Sequence, residues 1–416
     1  MQKYRVGIVG ATGMVGQRFM LLLKDHPWFD VVCLAASASS AGKRYEDAVA
    51  GRWAFPAEPI PEKVKDLVVL DGADVEAVAA QVDFIFCAVS LNKEETKALE
   101  EKYAKAGVPV VSNNSANRHT PDVPMLIPEI NGKHAEIIAA QRKRLGTETG
   151  LISVKPNCSI QSYVPALWPL MDFEPEVVMV CTYQAISGAG KTFERWPEMV
   201  DNVIPYIGGE DEKSENEPLK IFGHIEGDKI VDTDMPRISA QCLRVACSDG
   251  HMAAVSVKFK KKPTMEQILE RWANCDAYTA TAGLGLPSSP EKFLTYFEDP
   301  SRPQTRLDRD IYNGMGITIG RLREDPVLDY KFVCLSHNTV RGAAGGGVLG
   351  AEYLCKMGYI QHRGYEGGMQ GRCPCTPPKG LSPFGNPLFA PLCGARGILR
   401  FVSTAGGYRR SRDFWR

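Results

Sequence analysis

Residues 5–16 read Arg5-Val6-Gly7-Ile8-Val9-Gly10-Ala11-Thr12-Gly13-Met14-Val15-Gly16. Residues 5–9 suit a short buried strand, and residues 14–24 have the apolar content of a helix. The glycines at 10, 13 and 16 occupy the turn between them. This G-x-x-G-x-x-G spacing is a variant of the dinucleotide fingerprint, in which small residues let the backbone approach a pyrophosphate seated on helix N–H groups. A tight strand-to-helix turn would also ask for glycine, but a strand before and a helix after favour the cofactor reading. Gly10, Thr12, Gly13, Met14, Val15 and Gly16 are therefore candidate cofactor contacts.

Outward from this turn the same alternation continues. Residues 30–36, 83–89 and 108–112 read as strands, and 93–106 as a charged helix. Strands alternating with helices imply parallel pairing, hence an α/β fold with a Rossmann-type, doubly wound parallel sheet. The end of the second strand reads Ala36-Ser37-Ala38-Ser39-Ser40-Ala41-Gly42-Lys43-Arg44, with no carboxylate before Glu46. An acid there would hold a ribose 2′-OH, whereas hydroxyls and a cation suit a 2′-phosphate. Ser37, Ser40 and Lys43 are thus candidate ligands of NADP, a polar turn being the other reading.

From about residue 151 the strands lengthen, at 176–186, 241–247, 251–260 and 329–336, with helices expected over 192–204, 264–274 and 345–357. This predicts an α+β segment built on a mixed sheet. The acidic stretch 208–217 reads as a solvated loop or an irregular helix start. Composition breaks again at the end. Residues 361–416 hold nine basic residues against two acids, with ten Gly and six Pro, although the whole chain of 416 balances 49 Lys+Arg with 49 Asp+Glu. The first 360 residues are accordingly acidic. The basic extension is expected to be disordered, and Cys373, Cys375 and Cys393 with His362 make an incomplete zinc set. No metal is expected.

Twelve Cys without a secretory leader argue for reduced thiols and a cytoplasmic protein. The lack of long apolar runs argues against a membrane partner. The balanced charge gives no sign of a nucleic-acid partner, although aromatics in the basic extension could stack on bases.

Two residues suggest chemistry. Pro156-Asn157-Cys158-Ser159 precedes an apolar stretch over 160–170 expected to begin as a helix. A Cys at a helix N-terminus has its thiolate stabilised, although most Cys in such a chain are small buried hydrophobes. Local sequence leaves both readings of Cys158 open. His251, after Asp249-Gly250, is either a general base at a strand edge or a structural His. The segment Gln184 to Thr192 resembles a phosphate loop, but Ala185 stands where its first glycine would fall.

Gly10 to Gly16, Pro156-Asn157-Cys158, Gln184 with Ser187-Gly188-Ala189-Gly190, Arg244 with Gly250-His251, and Asn338-Thr339-Val340-Arg341-Gly342-Ala343-Ala344-Gly345-Gly346 occur in this order. Together they resemble the aspartate-semialdehyde dehydrogenase family, in its archaeal and fungal branch, from about residue 3 to 360. The stretches 112–118, 124–131 and 302–323 share the likeness.

The resemblance implies an NADP-binding domain over 1–155, completed by a helix at 338–360, and a catalytic and dimerisation domain over 156–337. It implies that the Cys158 thiolate attacks L-aspartyl 4-phosphate, expels phosphate, and forms a thioester that NADPH reduces to L-aspartate 4-semialdehyde. His251 would be the acid/base, and Gln184 would orient the intermediate. Arg244 would clamp the α-carboxylate, Glu217 would meet the ammonium, and Lys220 and Arg118 would hold phosphate, beside Asn157. Local sequence alone reads Glu217 and Lys220 as a charged loop. Ser187, Gly188, Asn338 and Gly346 would lie near the nicotinamide. Ser39 stands where the family often has an Arg reading the 2′-phosphate. A homodimer or homotetramer is implied, in the biosynthesis of lysine, threonine, methionine and isoleucine. The rival readings are a malonyl-CoA reductase, disfavoured by Arg244 and Glu217; another acyl-phosphate or acyl-CoA reductase, of which N-acetylglutamyl-phosphate reductase is disfavoured by Asn157 and Ser159; and a catalytically silent binding paralogue, disfavoured by retention of Cys158, Gln184, Arg244 and His251.

Overall fold

The structure is a computed structural model that describes residues 2–363. The expected extension over 361–416 therefore lies outside the described residues, its first three positions excepted.

Six strands form the first sheet: β1 (Tyr4–Val9), β2 (Phe29–Ala36), β3 (Leu70–Asp71), β4 (Phe84–Cys87), β5 (Pro109–Ser112) and β6 (Leu151–Val154). Their order is β3-β2-β1-β4-β5-β6, and every pairing is parallel. Phe84-Ile85-Phe86-Cys87 is buried throughout, as a strand covered on both faces requires. The order reverses between β1 and β4, which opens a crevice at the carboxyl ends of the strands. The helix Met14–Leu23 starts there, and the helix Lys93–Lys105 is capped by the Asn92 side chain, which accepts from Glu95 N at 2.8 Å.

The second sheet has seven strands: β7 (Pro175–Gln184), β8 (Val203–Ile204), β11 (Arg237–Val245), β12 (His251–Phe259), β13 (Leu294–Phe297), β14 (Ile317–Glu324) and β15 (Tyr330–Ser336). A separate hairpin, β9 (His224–Glu226) and β10 (Lys229–Val231), intervenes. The order is β13-β14-β15-β12-β7-β11-β8, with β7–β11 and β13–β14 parallel and the others antiparallel. The expected mixed sheet is present. Along β7 burial alternates, with Val178, Val180 and Thr182 inside and Met179 and Tyr183 exposed, so one face of this sheet lies open. After β15 the chain returns, and the helix Gly345–Lys356 buries nearly its whole surface with Phe19, Phe86 and Val111 of the first layer.

Three local expectations need correction. Residues 192–204 form turns, a short 3₁₀ segment Pro197–Met199 and β8 instead of a helix; Pro197 lacks the N–H a helix interior needs. Beyond Cys158 the chain makes successive turns, and α-helix is confined to Val164–Leu167. The acidic stretch is an ordered helix, Glu210–Ile221, following Gly209 in the left-handed region at φ +71°.

Candidate active site

That acidic helix builds much of the site. Glu210, Ser214, Glu217 and Ile221 recur at helical spacing on one face, and all are buried. Two further acids of the helix hold the sheet: Asp211 accepts from Cys242 N at 2.8 Å and Glu215 from Ala240 N at 3.0 Å.

The segment leaving β6 carries Cys158 into this environment. Asn157 fixes the turn: its amide donates to both Glu210 oxygens at 3.1 and 3.0 Å, and its Oδ1 accepts from Ser159 N and Oγ at 2.8 and 2.7 Å. Glu217 accepts from the Asn157 backbone N–H at 2.6 Å. Asn157 is thus engaged in shaping the loop.

His251, at the first position of β12, is fully buried, with Nε2 3.4 Å from Cys158 Sγ. Its Nδ1 accepts the Ala185 N–H at 3.1 Å. The ring proton is therefore assigned to Nε2, facing sulfur. Burial, then Arg244, pushes His251 down to about 3. The thiol behaves differently from the helix-terminus expectation. Burial, followed by Glu210, pushes Cys158 above the ordinary range, against Lys155, Arg118 and Arg244, which favour the thiolate. Gln184, at the end of β7, donates to Glu210 at 3.2 Å and to Thr182 Oγ1 at 3.2 Å. Arg244 donates to Ala185 O at 2.7 Å.

The cations of the resemblance converge here as well. Arg118 pairs with Glu217 at 2.8 Å and donates to the carbonyls of Lys155 and Asn113 at 3.0 and 3.2 Å. Lys220 is buried, donates to the carbonyls of Arg118 and Thr120 at 2.8 Å each, and is pushed down to about 8 by burial. In this structure Lys220 braces the Arg118 loop.

The crevice at the first sheet fits a dinucleotide. Gly10 has φ +92°, and a Cβ there would stand 2.3 Å from Ala88 O; one at Gly16 would stand 2.3 Å from Gly10 O. Gly13 meets nothing closer than 3.6 Å. Thr12, Met14 and Val15 complete the turn, and the first helical N–H groups lack intrahelical partners by construction of any helix. Both side-chain amide atoms of half-buried Asn113 are enclosed and lack a protein partner, and Asn113 Oδ1 stands 3.1 Å from where a Gly347 Cβ would lie. A polar nicotinamide amide would satisfy them. Ser37 and Ser39 hydroxyls are exposed 3.0 Å apart and Lys43 is exposed, whereas Ser40 is buried and accepts from Arg52 at 3.3 Å. Asn338 ties two loops together, donating to Ser187 Oγ at 2.9 Å and accepting from Gly250 N at 2.8 Å. Gly188 sits against Arg244 and His251, and Gly346 against Arg341 O and the Lys155 stem.

Sequence reasoning did not single out Glu210, Asn113, Lys155 or Arg341 as site residues. Glu210, Lys155 and Arg341 are buried, and Asn113 is half-buried with its amide atoms enclosed. Only the spacing of Glu210 to Glu217 on a helix could have pointed to one of them.

Known proteins resemble this chain in sequence and in fold. Residues 5–138 match the family model for the NAD binding domain of semialdehyde dehydrogenase, and residues 167–341 match its dimerisation domain. The aspartate-semialdehyde dehydrogenase of Archaeoglobus fulgidus is 43% identical over 356 residues, covering 85% of this chain and 98% of that protein. The enzyme of Saccharomyces cerevisiae is 41% identical over 370 residues, with 85% and 98% covered. The crystal structure of aspartate semialdehyde dehydrogenase with NADP from Candida albicans superposes with a TM-score of 0.76 at 36% identity, covering 86% of this chain and 100% of that one.

Proposed function

The chain belongs to the aspartate-semialdehyde dehydrogenase family, and from that membership we propose how its own residues divide the reaction. The activity is reductive dephosphorylation of L-aspartyl 4-phosphate to L-aspartate 4-semialdehyde, a step towards lysine, threonine, methionine and isoleucine. Cys158 attacks the acyl carbon, phosphate departs, and a thioester forms on Sγ. NADPH, when bound, supplies the hydride. The Gly10–Gly16 turn, Asn113, Ser187 and Gly188 hold it, with Ser37, Ser39 and Lys43 at its 2′-phosphate and Ser40 bracing that turn.

His251 faces the reacting centre with its Nε2 proton. It donates to the carbonyl oxygen as negative charge develops there, lends that oxygen its Nε2 proton in the hemithioacetal, and takes the proton back as the C–S bond breaks and the aldehyde forms. Arg244 meets the substrate α-carboxylate, for which its planar fork is suited. Glu217 meets the ammonium, and Arg118, braced by Lys220, meets phosphate. Gln184 and Asn157 hold Glu210 and the nucleophile loop. Glu217, a buried carboxylate, supports an amino-acid substrate over a malonyl thioester.

The match to a dimerisation domain supports an oligomer. The open face of β7, with Met179 and Tyr183, suits a second copy of the chain in a homodimer. Among the described residues no helix is long and apolar enough to cross a membrane, and the nine described cysteines are free thiols, which fits a cytoplasmic enzyme.

The observation that carries this reading is the 3.4 Å approach of Cys158 Sγ to His251 Nε2. The test is phosphate-dependent NADP reduction with L-aspartate 4-semialdehyde. Cys158→Ala must lose turnover; a fully active variant would overturn the assignment, and equal kcat/KM with NAD would overturn the 2′-phosphate reading.

A further inference from the structure

Glu100 lies on the helix Lys93–Lys105 and is fully buried, and its hydrogen-bond partners are a hydroxyl and two side-chain amides, all neutral. One carboxyl oxygen accepts from Ser112 Oγ and from Asn114 Nδ2 at 3.3 Å, and the other accepts from Asn117 Nδ2 at 2.7 Å. Burial pushes this carboxyl up, and the hydrogen bonds from Ser112, Asn117 and Asn114 pull it back down. An apolar side chain would fill the same space without that desolvation cost. Nothing in the reaction above uses Glu100.

All three partners belong to one loop, Ser112-Asn113-Asn114-Ser115-Ala116-Asn117-Arg118. Ser112 and Asn114 stand on either side of Asn113, and Asn117 precedes Arg118. The Ser112 hydroxyl also accepts from Asn114 N at 3.0 Å, and Asn117 Oδ1 accepts from Thr120 Oγ1 at 2.9 Å. A single carboxyl thus gathers both ends of the loop. The residues beside its grips are the two with chemistry. Arg118 donates from Nη2 to Asn113 O at 3.2 Å, so the two are also tied to each other. The Asn113 amide has no protein partner, so its aim is set by its backbone alone.

We propose that Glu100 is a positioning residue: its carboxyl sets the loop 112–118 so that the Asn113 amide meets the nicotinamide and the Arg118 guanidinium meets phosphate. Glu100 itself touches neither ligand. A network closed on one multiple acceptor holds a loop in one geometry, and a small displacement of binding groups is costly. The proposal rests on the reading of Asn113 and Arg118 given above.

Initial rates of NADP reduction by the full-length enzyme, with phosphate, cofactor and L-aspartate 4-semialdehyde varied in turn, test it. Glu100→Met leaves three donors without their acceptor. KM for phosphate and KM for NADP should each rise about tenfold or more, while KM for the aldehyde and the preference for NADP over NAD stay within about threefold. A merely structural role would reduce the amount of folded enzyme, lowering kcat with every KM unchanged. Glu100→Gln keeps an acceptor for Ser112 and Asn114 and lets the Asn117 amide turn over, so it should recover most of both constants. Asn117→Leu removes the same contact from the loop side; it should raise the same two constants and carries the comparison if Glu100→Met misfolds. Wild-type KM values in these variants, or an equal rise in all three, would overturn the proposal. Arg118→Met, measured alongside, separates the underlying reading. An unchanged KM for phosphate there would sink that assignment and the phosphate arm of the proposal with it, whereas a raised one beside wild-type constants in Glu100→Met would overturn the proposal alone.

Discussion

Arg341 and Glu129 form a two-point ion pair, Nη1 to Oε1 at 2.5 Å and Nη2 to Oε2 at 2.9 Å, with neither side chain more than 2% exposed. The guanidinium also lies 5.1 Å from the Phe293 ring centroid. Glu129 comes from the segment between β5 and β6 and Arg341 from the turn after β15, so the pair fastens the returning chain. Gly342, next to it, touches Cys158: a Cβ there would stand 3.0 Å from that of Cys158. Removing either partner strands a buried charge. Arg341→Met and Glu129→Leu should each cost about 3–5 kcal/mol in urea denaturation, and the double variant should recover most of it. Additive losses would contradict this.

Gly188 offers a sharper probe of site geometry. A Cβ there would stand 2.8 Å from Arg244 Nη1 and 3.0 Å from His251 Nε2. Gly188→Ala should displace both groups and lower kcat/KM by about 100-fold, with Tm almost unchanged. Wild-type kinetics would mean the two side chains yield without consequence.

His251→Gln should lower kcat by about 100-fold or more through loss of the donated proton. An unchanged kcat would return His251 to a structural role.

Acid should destabilise the fold through its buried rings. Burial and Arg244 push His251 down to about 3, and burial lowers His134. The folded rings stay neutral while the unfolded ones protonate near 6.5. Stability is therefore complete above that pH and is lost as pH falls towards the folded values. At pH 5 His251 alone should cost about 2 kcal/mol. Urea midpoints of wild type and His251→Gln at pH 5 and pH 7 check this, the variant showing the smaller acid loss.

The end of the described chain is fastened. His362 stacks on Tyr4 with ring centroids 4.0 Å apart, and Arg363 donates to Asp83 at 3.0 Å and to Ala79 O at 2.8 Å. Truncation after residue 360 should therefore lower Tm by several degrees relative to truncation after 363. Equal Tm values would show these contacts to be inert.

How much was readable follows from what each element buries. The first sheet announces itself because β1, β2 and β4 carry the apolar runs 6–9, 31–36 and 84–87, the first followed by Gly10 and Gly16. Of the second sheet, β7, β11, β12 and β15 are legible as long strand-like stretches, whereas β8, β13 and β14 were not expected. The helix Glu210–Ile221 is not, because its buried stripe is Glu, Ser and Glu, and a polar stripe looks like solvent-facing sequence until partners such as Asn157 and Gln184 are brought to it. Residues 192–204 mislead in the opposite way: apolar residues suggested a helix that Pro197 prevents. Cys158 and His251 were visible as residue types, yet their ionisation depends on burial that no local spacing reveals.

The upward push on the Cys158 thiol has a consequence for survival under oxidative stress. Peroxides and most electrophilic metabolites react with thiolate, and a sulfur that keeps its proton at rest presents little of it. A nucleophile whose thiol is held protonated by burial spends most of its life on the unreactive side of that equilibrium. Such an enzyme should outlast a low-pKa cysteine enzyme in the same oxidant, and covalent inhibitors would need to be carried in on a scaffold that mimics the substrate.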